Sequence, residues 1–326
     1  MNSKTGSEGE TFRAVTPDGR VLDYRVGQDL NLAEVTRFFS DKYTVKQIWA
    51  EKRHVVGVLE ASGREYFLKV STSEGISEVT KNEYAWNEAF NEAVSRSSSD
   101  LWVPQNYDSG DYQENLFYIV TDKFEGEKLI RYPEETTEDN HGLFTQNIER
   151  VIDFSELIQS LDIKLNPPHL FEGKTYTEKF LSQARSWYND LPENIREKYG
   201  LDELWQIVEN GTPRLNPKPC HGDFTPWHII ALPEGKLGLI DGEHAKSETV
   251  EGYDIGYLIQ RVFTVMQNQD LAERIMDSLT KRGHGLEKIK VILAARAIGG
   301  FLDANLDIFS PDFTYPKLFK DWLLKA

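Results

Sequence analysis

The chain has 326 residues, with 37 Lys+Arg against 53 Asp+Glu and a formal net charge of -16 at pH 7. A hydrophobic content of 39% with 12% aromatics excludes a mostly disordered chain, and the length suits about two domains with separate cores. The acidic balance argues against nucleic acid and anionic membrane surfaces as partners, because both are gripped by Lys and Arg; a cationic or neutral small substrate stays open.

In chain order, residues 1–10 read as a disordered tail without the apolar stretch of a signal peptide. Thr16-Pro17-Asp18-Gly19 is a turn signal between two short β-prone runs, which predicts a hairpin. NLAEVTRFFSDKY predicts a short helix. YTVKQIWA, HVVGVLE and EYFLKVS predict three strands, the last two joined by Ala61-Ser62-Gly63-Arg64. A helix is expected from Ser77 to Val94, then a serine loop at 97–99 and strands in WVPQNYDSG and LFYIVTDKF. From Phe124 onward the pattern is mostly helical, with Phe124-Glu125-Gly126-Glu127 as a hinge. The most apolar late stretch, Val291 to Leu302, is interrupted by Arg296 and falls short of the roughly 20 residues that span a bilayer. A single cysteine, Cys220, precludes an intramolecular disulfide and suits a reducing compartment, so a cytoplasmic protein is expected. Strands segregated from helices predict an α+β protein of two lobes, a small β-rich one over 11–122 and a larger, mostly helical one over 123–326.

The richest segment runs from His221 to Glu243. Pro233-Glu234-Gly235-Lys236 is a turn between the apolar runs HIIAL and LGLID, which predicts a hairpin. Facing Leu232 with Leu237 places His228 opposite Asp241 at its open end, within reach of one ligand. Asp223 lies in the loop just before. A loop carboxylate can orient a hydroxyl and accept its proton, and a second can hold Mg²⁺ against phosphates. Those are the main tasks of a protein in phosphoryl transfer. A surface hairpin with an Asp–His hydrogen bond explains the same residues without chemistry.

His221-Gly222-Asp223, a polar residue five positions on, and an apolar strand ending Ile240-Asp241-x-Glu243 together resemble the aminoglycoside phosphotransferase / choline kinase-like family. Tyr253-Asp254-Ile255-Gly256-Tyr257-Leu258 is similar to the helix start that follows in that family. The resemblance covers about residues 43–260. It implies a two-lobed protein-kinase-like fold, ATP with Mg²⁺ as cofactors, Asp223 as the catalytic aspartate and Asp241 as a metal ligand. It also implies that Asp254 holds the catalytic loop and that adenine sits at Thr121, Asp122, Lys123 and Phe124. The small β-rich lobe would then bind the nucleotide, and the larger lobe would carry the catalytic loop and the acceptor site.

The same family needs a strand lysine on the phosphates and a helix glutamate to orient it. Lys69 is the one lysine in the apolar run Tyr66 to Val70, where period-2 alternation puts it with Phe67 and opposite Tyr66, Leu68 and Val70. Glu83 shares a helix face with Val79, Trp86 and Phe90, where a free carboxylate is costly. A Lys69–Glu83 ion pair resolves both. Thr80-Lys81-Asn82-Glu83 also fits a helix-capping box, and Glu88 is the fallback partner.

Three features depart from the pattern. His228 stands where the family has asparagine, and imidazole suits Zn²⁺ or Mn²⁺ better than Mg²⁺. The turn Glu51-Lys52-Arg53-His54 has no glycine, which leaves Lys52 or Arg53 to meet phosphates. Tyr253 follows Asp241 without a peptide-docking segment or Ala-Pro-Glu motif, which favours a small-molecule hydroxylated acceptor. Asp303, Asp307 and Asp312 are candidates to line a cationic acceptor's pocket, against a solvated acidic face. The expectation is a small-molecule kinase, with two alternatives. One is a catalytically weak or silent nucleotide-binding or scaffolding relative, pointed to by His228. The other is a metal-dependent hydrolase using His221, Asp223, His228, Asp241 and Glu243, which lack a compact ligand motif.

Overall fold

The computed structural model describes residues 12–94, 99–131, 141–165, 171, 173–306 and 311–325. The expected tail at 1–10, Ser97, Ser98 and Asp307 lie outside them. The described elements are, in order, strands β1 (Arg13–Val15) and β2 (Val21–Asp23), helix α1 (Leu32–Ser40), strands β3 (Thr44–Glu51), β4 (His54–Ala61) and β5 (Arg64–Ser71), and helix α2 (Glu74–Val94). Strands β6 (Leu101–Trp102), β7 (Asn106–Gln113), β8 (Leu116–Asp122) and β9 (Glu127–Lys128) follow. Next come helices α3 (Gly142–Ser160), α4 (Tyr176–Asn189), α5 (Glu193–Tyr199) and α6 (Leu201–Gly211). Strands β10 (Pro217–Cys220), β11 (Ile229–Ala231), β12 (Leu237–Leu239) and β13 (Lys246–Val250) then lead to helices α7 (Tyr253–Thr264), α8 (Gln269–Lys281), α9 (Leu286–Leu306) and α10 (Thr314–Lys325). The protein is α+β. It divides into two compact units, one within 1–127, 163–170 and 231–245, the other within 128–162, 171–230 and 246–326. The units interleave along the chain rather than meeting at a single border near residue 122.

In the first unit, β3-β4-β5-β8-β7 form a five-stranded sheet with antiparallel neighbours. Alternation along β5 sends Leu68 and Val70 into one core with Val55, Leu59 and Val120, closed by Val35 and Phe39 of α1. Asn31 caps α1, its side chain accepting from the Ala33 N–H at 3.0 Å. Residues 67, 69 and 71 take the opposite face, where Ser71 donates to Thr80 of α2 at 2.9 Å. Val79, Trp86 and Phe90 of α2 are fully buried. The first hairpin forms with Val15 opposite Val21. Strand β12 lies parallel to β6, pairing Leu237 with Leu101 and Gly238 with Trp102. The turn before β12 is closed by the Leu232 N–H on Lys236 O at 2.9 Å.

The second unit is mostly helical, built around α9, whose residues from Val291 to Leu302 are all buried. It also contains an antiparallel pair that the sequence does not announce. β10 and β13 align Lys218 with Thr249 and, across a bulge, Cys220 with Lys246. This pair holds the start of the His221–Asp223 loop and leads from β13 straight into α7. No described helix is long and apolar enough to cross a membrane.

Candidate active site

In the first unit, one buried lysine gathers three carboxylates. Lys69 Nζ is 2.7 Å from Glu83 Oε2, 2.7 Å from Asp241 Oδ1 and 2.7 Å from Glu243 Oε1. Helix α2 begins at Glu74, so Thr80 lies inside it and donates to Ile76 O at 3.0 Å rather than capping. The capping-box alternative is thereby removed. The fallback, Glu88, accepts from Asn106 instead.

Helix α2 also positions the segment after β12. Asn82 Nδ2 donates to the carbonyls of Glu243 (3.1 Å) and Ala245 (3.0 Å). Gly242 rests on Trp86, and a Cβ there would lie 2.3 Å from Trp86 Cδ1. Just before it, Asp241 is held at φ 71°, ψ 52°, a left-handed conformation that costs a non-glycine residue about 1 kcal/mol or more. Its carboxylate is directed at Lys69 while keeping 28% of its side chain exposed, more than any other member of the cluster.

Two further residues complete the cluster. The β3–β4 connection is a two-residue turn with Glu51 paired to His54 and Lys52 at φ 49°. It brings Arg53 Nη2 to 2.5 Å from Glu243 Oε2. Arg53, a candidate phosphate contact from sequence, is engaged with a carboxylate. Burial pushes the His54 ring far down, to about 3, and the Lys69 charge adds to this, so His54 is neutral beside Glu243 and Thr80. Burial raises Glu83 above the ordinary carboxylate range despite Lys69. Burial also acts to raise Glu243, but Arg53 and Lys69 outweigh it and hold Glu243 below that range. Three acids thus share two cations, and Asp241 is the most accessible of the acids.

At the end of β8, Asp122 N–H donates to Gln105 O at 3.0 Å, and its carboxylate accepts from the Gln105 N–H at 2.9 Å. Thr121 is buried, and Lys123 pairs with Glu65 at 2.6 Å. The Phe124 ring covers Gly238, where a Cβ would lie 2.6 Å from Phe124 Cε2.

In the second unit, Asp254 at the start of α7 takes the backbone N–H of His221 (2.8 Å) and of Gly222 (2.9 Å), fixing the loop immediately before Asp223. Phe224 is fully buried and meets Phe154 edge-on, anchoring the loop from its other side. Asp223 keeps 24% of its side chain exposed. His228 Nδ1 is 3.0 Å from the Asp223 carbonyl and 3.7 Å from its carboxylate. A carbonyl only accepts, so Nδ1 carries the proton and the lone pair of the neutral ring is on Nε2.

Burial raises Asp254 from 3.8 to about 7, against the two amide hydrogen bonds that lower it. A folded-state value above the unfolded one gives stability that is complete below about pH 4 and is lost as pH rises through 7. The stability lost across that range is at most about 4 kcal/mol, because a tenfold change in proton affinity is worth about 1.4 kcal/mol. Asp254→Asn should therefore flatten the fall of stability between pH 4.5 and 7.5, as read by urea unfolding at several pH values. An undiminished slope would show that Asp254 is not the titrating group.

The sequence placed Lys69, Glu83 and Asp241 as site residues, and the structure joins them in one cluster. It missed Asn82, Arg53's partner and the central place of Glu243. The one available signal was the Asp241-Gly242-Glu243 triplet, whose glycine has no turn to explain it. Asp303, a candidate for a cationic pocket, instead pairs with Arg261 at 3.0 Å. Asp312 is exposed and accepts from the Thr314 N–H.

The model of the phosphotransferase enzyme family (APH) matches residues 44–284. No curated protein sequence matches the chain. Among solved structures, aminoglycoside phosphotransferase APH(4)-Ia is similar, with a TM-score of 0.65 at 14% identity over 90% of this chain and 99% of that one. A thermostable mutant of that enzyme, in a ternary complex with ADP and hygromycin B, gives a TM-score of 0.65 at 12% identity, covering 90% and 98%. Wild-type aminoglycoside 2'-phosphotransferase-IIIa in its GDP complex gives 0.56 at 14% identity, covering 90% and 96%. At such identities the likeness establishes the fold, that of the aminoglycoside phosphotransferases, as the sequence motifs led one to expect.

Proposed function

The chain belongs to the phosphotransferase enzyme family, and from that premise we propose that it is a small-molecule kinase, transferring the γ-phosphoryl group of ATP to a substrate hydroxyl. The observation that carries this reading is Lys69 at 2.7 Å from both Glu83 and Asp241. A buried strand lysine oriented by a helix carboxylate, beside a more exposed aspartate, suits gripping phosphates next to a metal ligand.

In this reading Lys69 trades part of its carboxylate contact for nucleotide phosphate, and Glu83 keeps it oriented. Asp223, on a loop fixed by Asp254, orients the acceptor hydroxyl and takes its proton. The hydroxyl oxygen then bonds to the γ-phosphorus as the bond to the β-phosphate's bridging oxygen breaks. The peptide groups of Lys123 and Phe124, past the last β5–β8 ladder pair at Asp122, read the adenine edge, with Thr121 and Asp122 supporting them. Asp241 and His228 are the proposed metal ligands, and the grouping of carboxylates around Asp241 fits a divalent cation. Mg²⁺ or Mn²⁺ bound there would neutralise phosphate charge.

Thermal shift tests the reading: ATP, or GTP as the competing donor, should stabilise the protein in the presence of Mg²⁺ or Mn²⁺. Transfer from labelled nucleotide to a panel of hydroxylated metabolites should follow. Absence of any nucleotide response under either metal overturns it. Stabilisation without turnover across the panel favours a silent nucleotide-binding relative, the reading that His228 supports.

His228→Asn replaces an imidazole nitrogen by an oxygen ligand. It should shift the ratio of Mg²⁺-supported to Mn²⁺-supported transfer several-fold toward Mg²⁺. An unchanged ratio would remove His228 from the metal site.

A further inference from the structure

The second unit holds two cations outside the ion pairs of the described residues, Arg296, which is buried, and Lys246, which is half-buried. Arg296 of α9 is 6% exposed, and its Nε has no hydrogen-bond partner. Its guanidinium lies 3.8 Å from the Tyr257 ring centroid and 4.8 Å from that of Trp187. Lys246, beside Cys220 on the β10–β13 pair, reaches Gln183 Oε1 at 3.3 Å and the Phe171 and Tyr253 rings at 5.3 and 5.8 Å. Among the described residues the polar and ring contacts of these two cations are to an amide and to aromatic faces, not to a carboxylate. Burial lowers Lys246 and the nearby Arg296 charge adds to this, while Cys220 and the Asp254 carboxylate act against it. Aromatic faces offset only part of the cost of burying a cation such as Arg296.

This cluster adjoins the loop of Asp223. Tyr253, Tyr257 and Arg261 follow one another at i, i+4 and i+8 on α7, the helix whose Asp254 holds the His221 and Gly222 amides. The Asp223 charge acts on both Tyr257 and Arg261. Arg261 donates to the Tyr257 hydroxyl at 2.8 Å and pairs with Asp303, whose side chain is 46% exposed. Tyr257 is thus flanked by two guanidinium groups, of which only that of Arg261 is matched by an acid.

Taking Asp223 as the proton acceptor of the proposed reaction, we infer that Arg296 and Lys246 form an anion subsite for the acceptor. The substrate is then a hydroxylated small molecule carrying a carboxylate or phosphate group. Its anion completes the charge balance of Arg296 and Lys246 while its hydroxyl faces Asp223. A polycation would meet two like charges there, one of them desolvated, and is disfavoured.

The test uses the full chain without nucleotide. Thermal shift at fixed ionic strength compares D-glycerate, glycerol 3-phosphate and inorganic phosphate with kanamycin. Expected is stabilisation by at least one hydroxylated anion and none by kanamycin, the stronger of glycerate and glycerol 3-phosphate identifying the anionic group. Arg296→Gln should weaken that response at least tenfold in apparent affinity while leaving the ATP response intact, and Arg296→Lys should recover part of it. Stabilisation by kanamycin alone, no response to any anion, or an anion response that survives Arg296→Gln overturns the inference. If Arg296→Gln does not fold, the wild-type panel and Arg296→Lys still decide. Failure of the kinase reading shows separately, as loss of the wild-type response to ATP.

Discussion

Lys69→Met should lower phosphoryl transfer by about a thousandfold or more if Lys69 grips phosphate as proposed, because it removes a charge from a water-poor site. The same substitution should destabilise the protein by about 3–5 kcal/mol, the usual cost of breaking a buried ion pair from one side. The two effects separate by pH. Without the lysine, Glu83, Asp241 and Glu243 face one another with Arg53 as the remaining cation, and their affinity for protons rises. Groups with raised folded-state pKa values stabilise below their unfolded values and lose that contribution as pH rises. The stability deficit should therefore be largest near pH 8 and shrink toward pH 5, whereas transfer stays lost throughout. Urea unfolding and a labelled-nucleotide assay at both pH values check this. A variant no less stable than the parent at pH 8 would show that the three carboxylates do not depend on Lys69.

Asp223→Ala should reduce kcat by about 10²- to 10⁴-fold, the span expected when a positioned base is removed. Nucleotide binding should be retained, since Lys69, Glu83 and Asp241 all lie in the other unit. The pairing of lost turnover with an unchanged ATP thermal shift distinguishes a base from a residue that merely holds the loop. Asp223 makes the second role a poor fit, because the loop is fixed by Asp254 from below and by buried Phe224 from within. Full transfer by the variant would remove Asp223 from the chemistry.

The sheet of the first unit was legible because β3, β4 and β5 are long, β-branched and separated by short turns. The Lys69 environment was legible for a related reason: both an apolar strand and an apolar helix face held one charge each, and buried charges need partners. Legibility failed where the signal is not local. Strands β10 and β13 read PKPC and KSETV, too short and too polar for a strand pattern, and each forms only because the other lies alongside. Arg53 and Asn82 look like ordinary surface residues until the chain returns 190 and 161 residues later with Glu243. Glu83 was ambiguous with a capping box because helix boundaries are the least readable part of a helix. The helix starts at Glu74 rather than the expected Ser77, which carries Thr80 well inside it. Asp303 was read through its own charge alone, and its partner Arg261, on another helix, takes up that charge.

The return of residues 231–245 to the first unit constrains how the protein can be recombined with its relatives. A chimaera that exchanges only the amino-terminal third would part Lys69 from two of its three acids. It would also strip Trp86 of the Gly242 backbone and leave β6 without its parallel neighbour. Donor modules drawn as continuous blocks should yield insoluble or inert hybrids, while those that graft 231–245 together with the sheet keep every one of these contacts within a single parent.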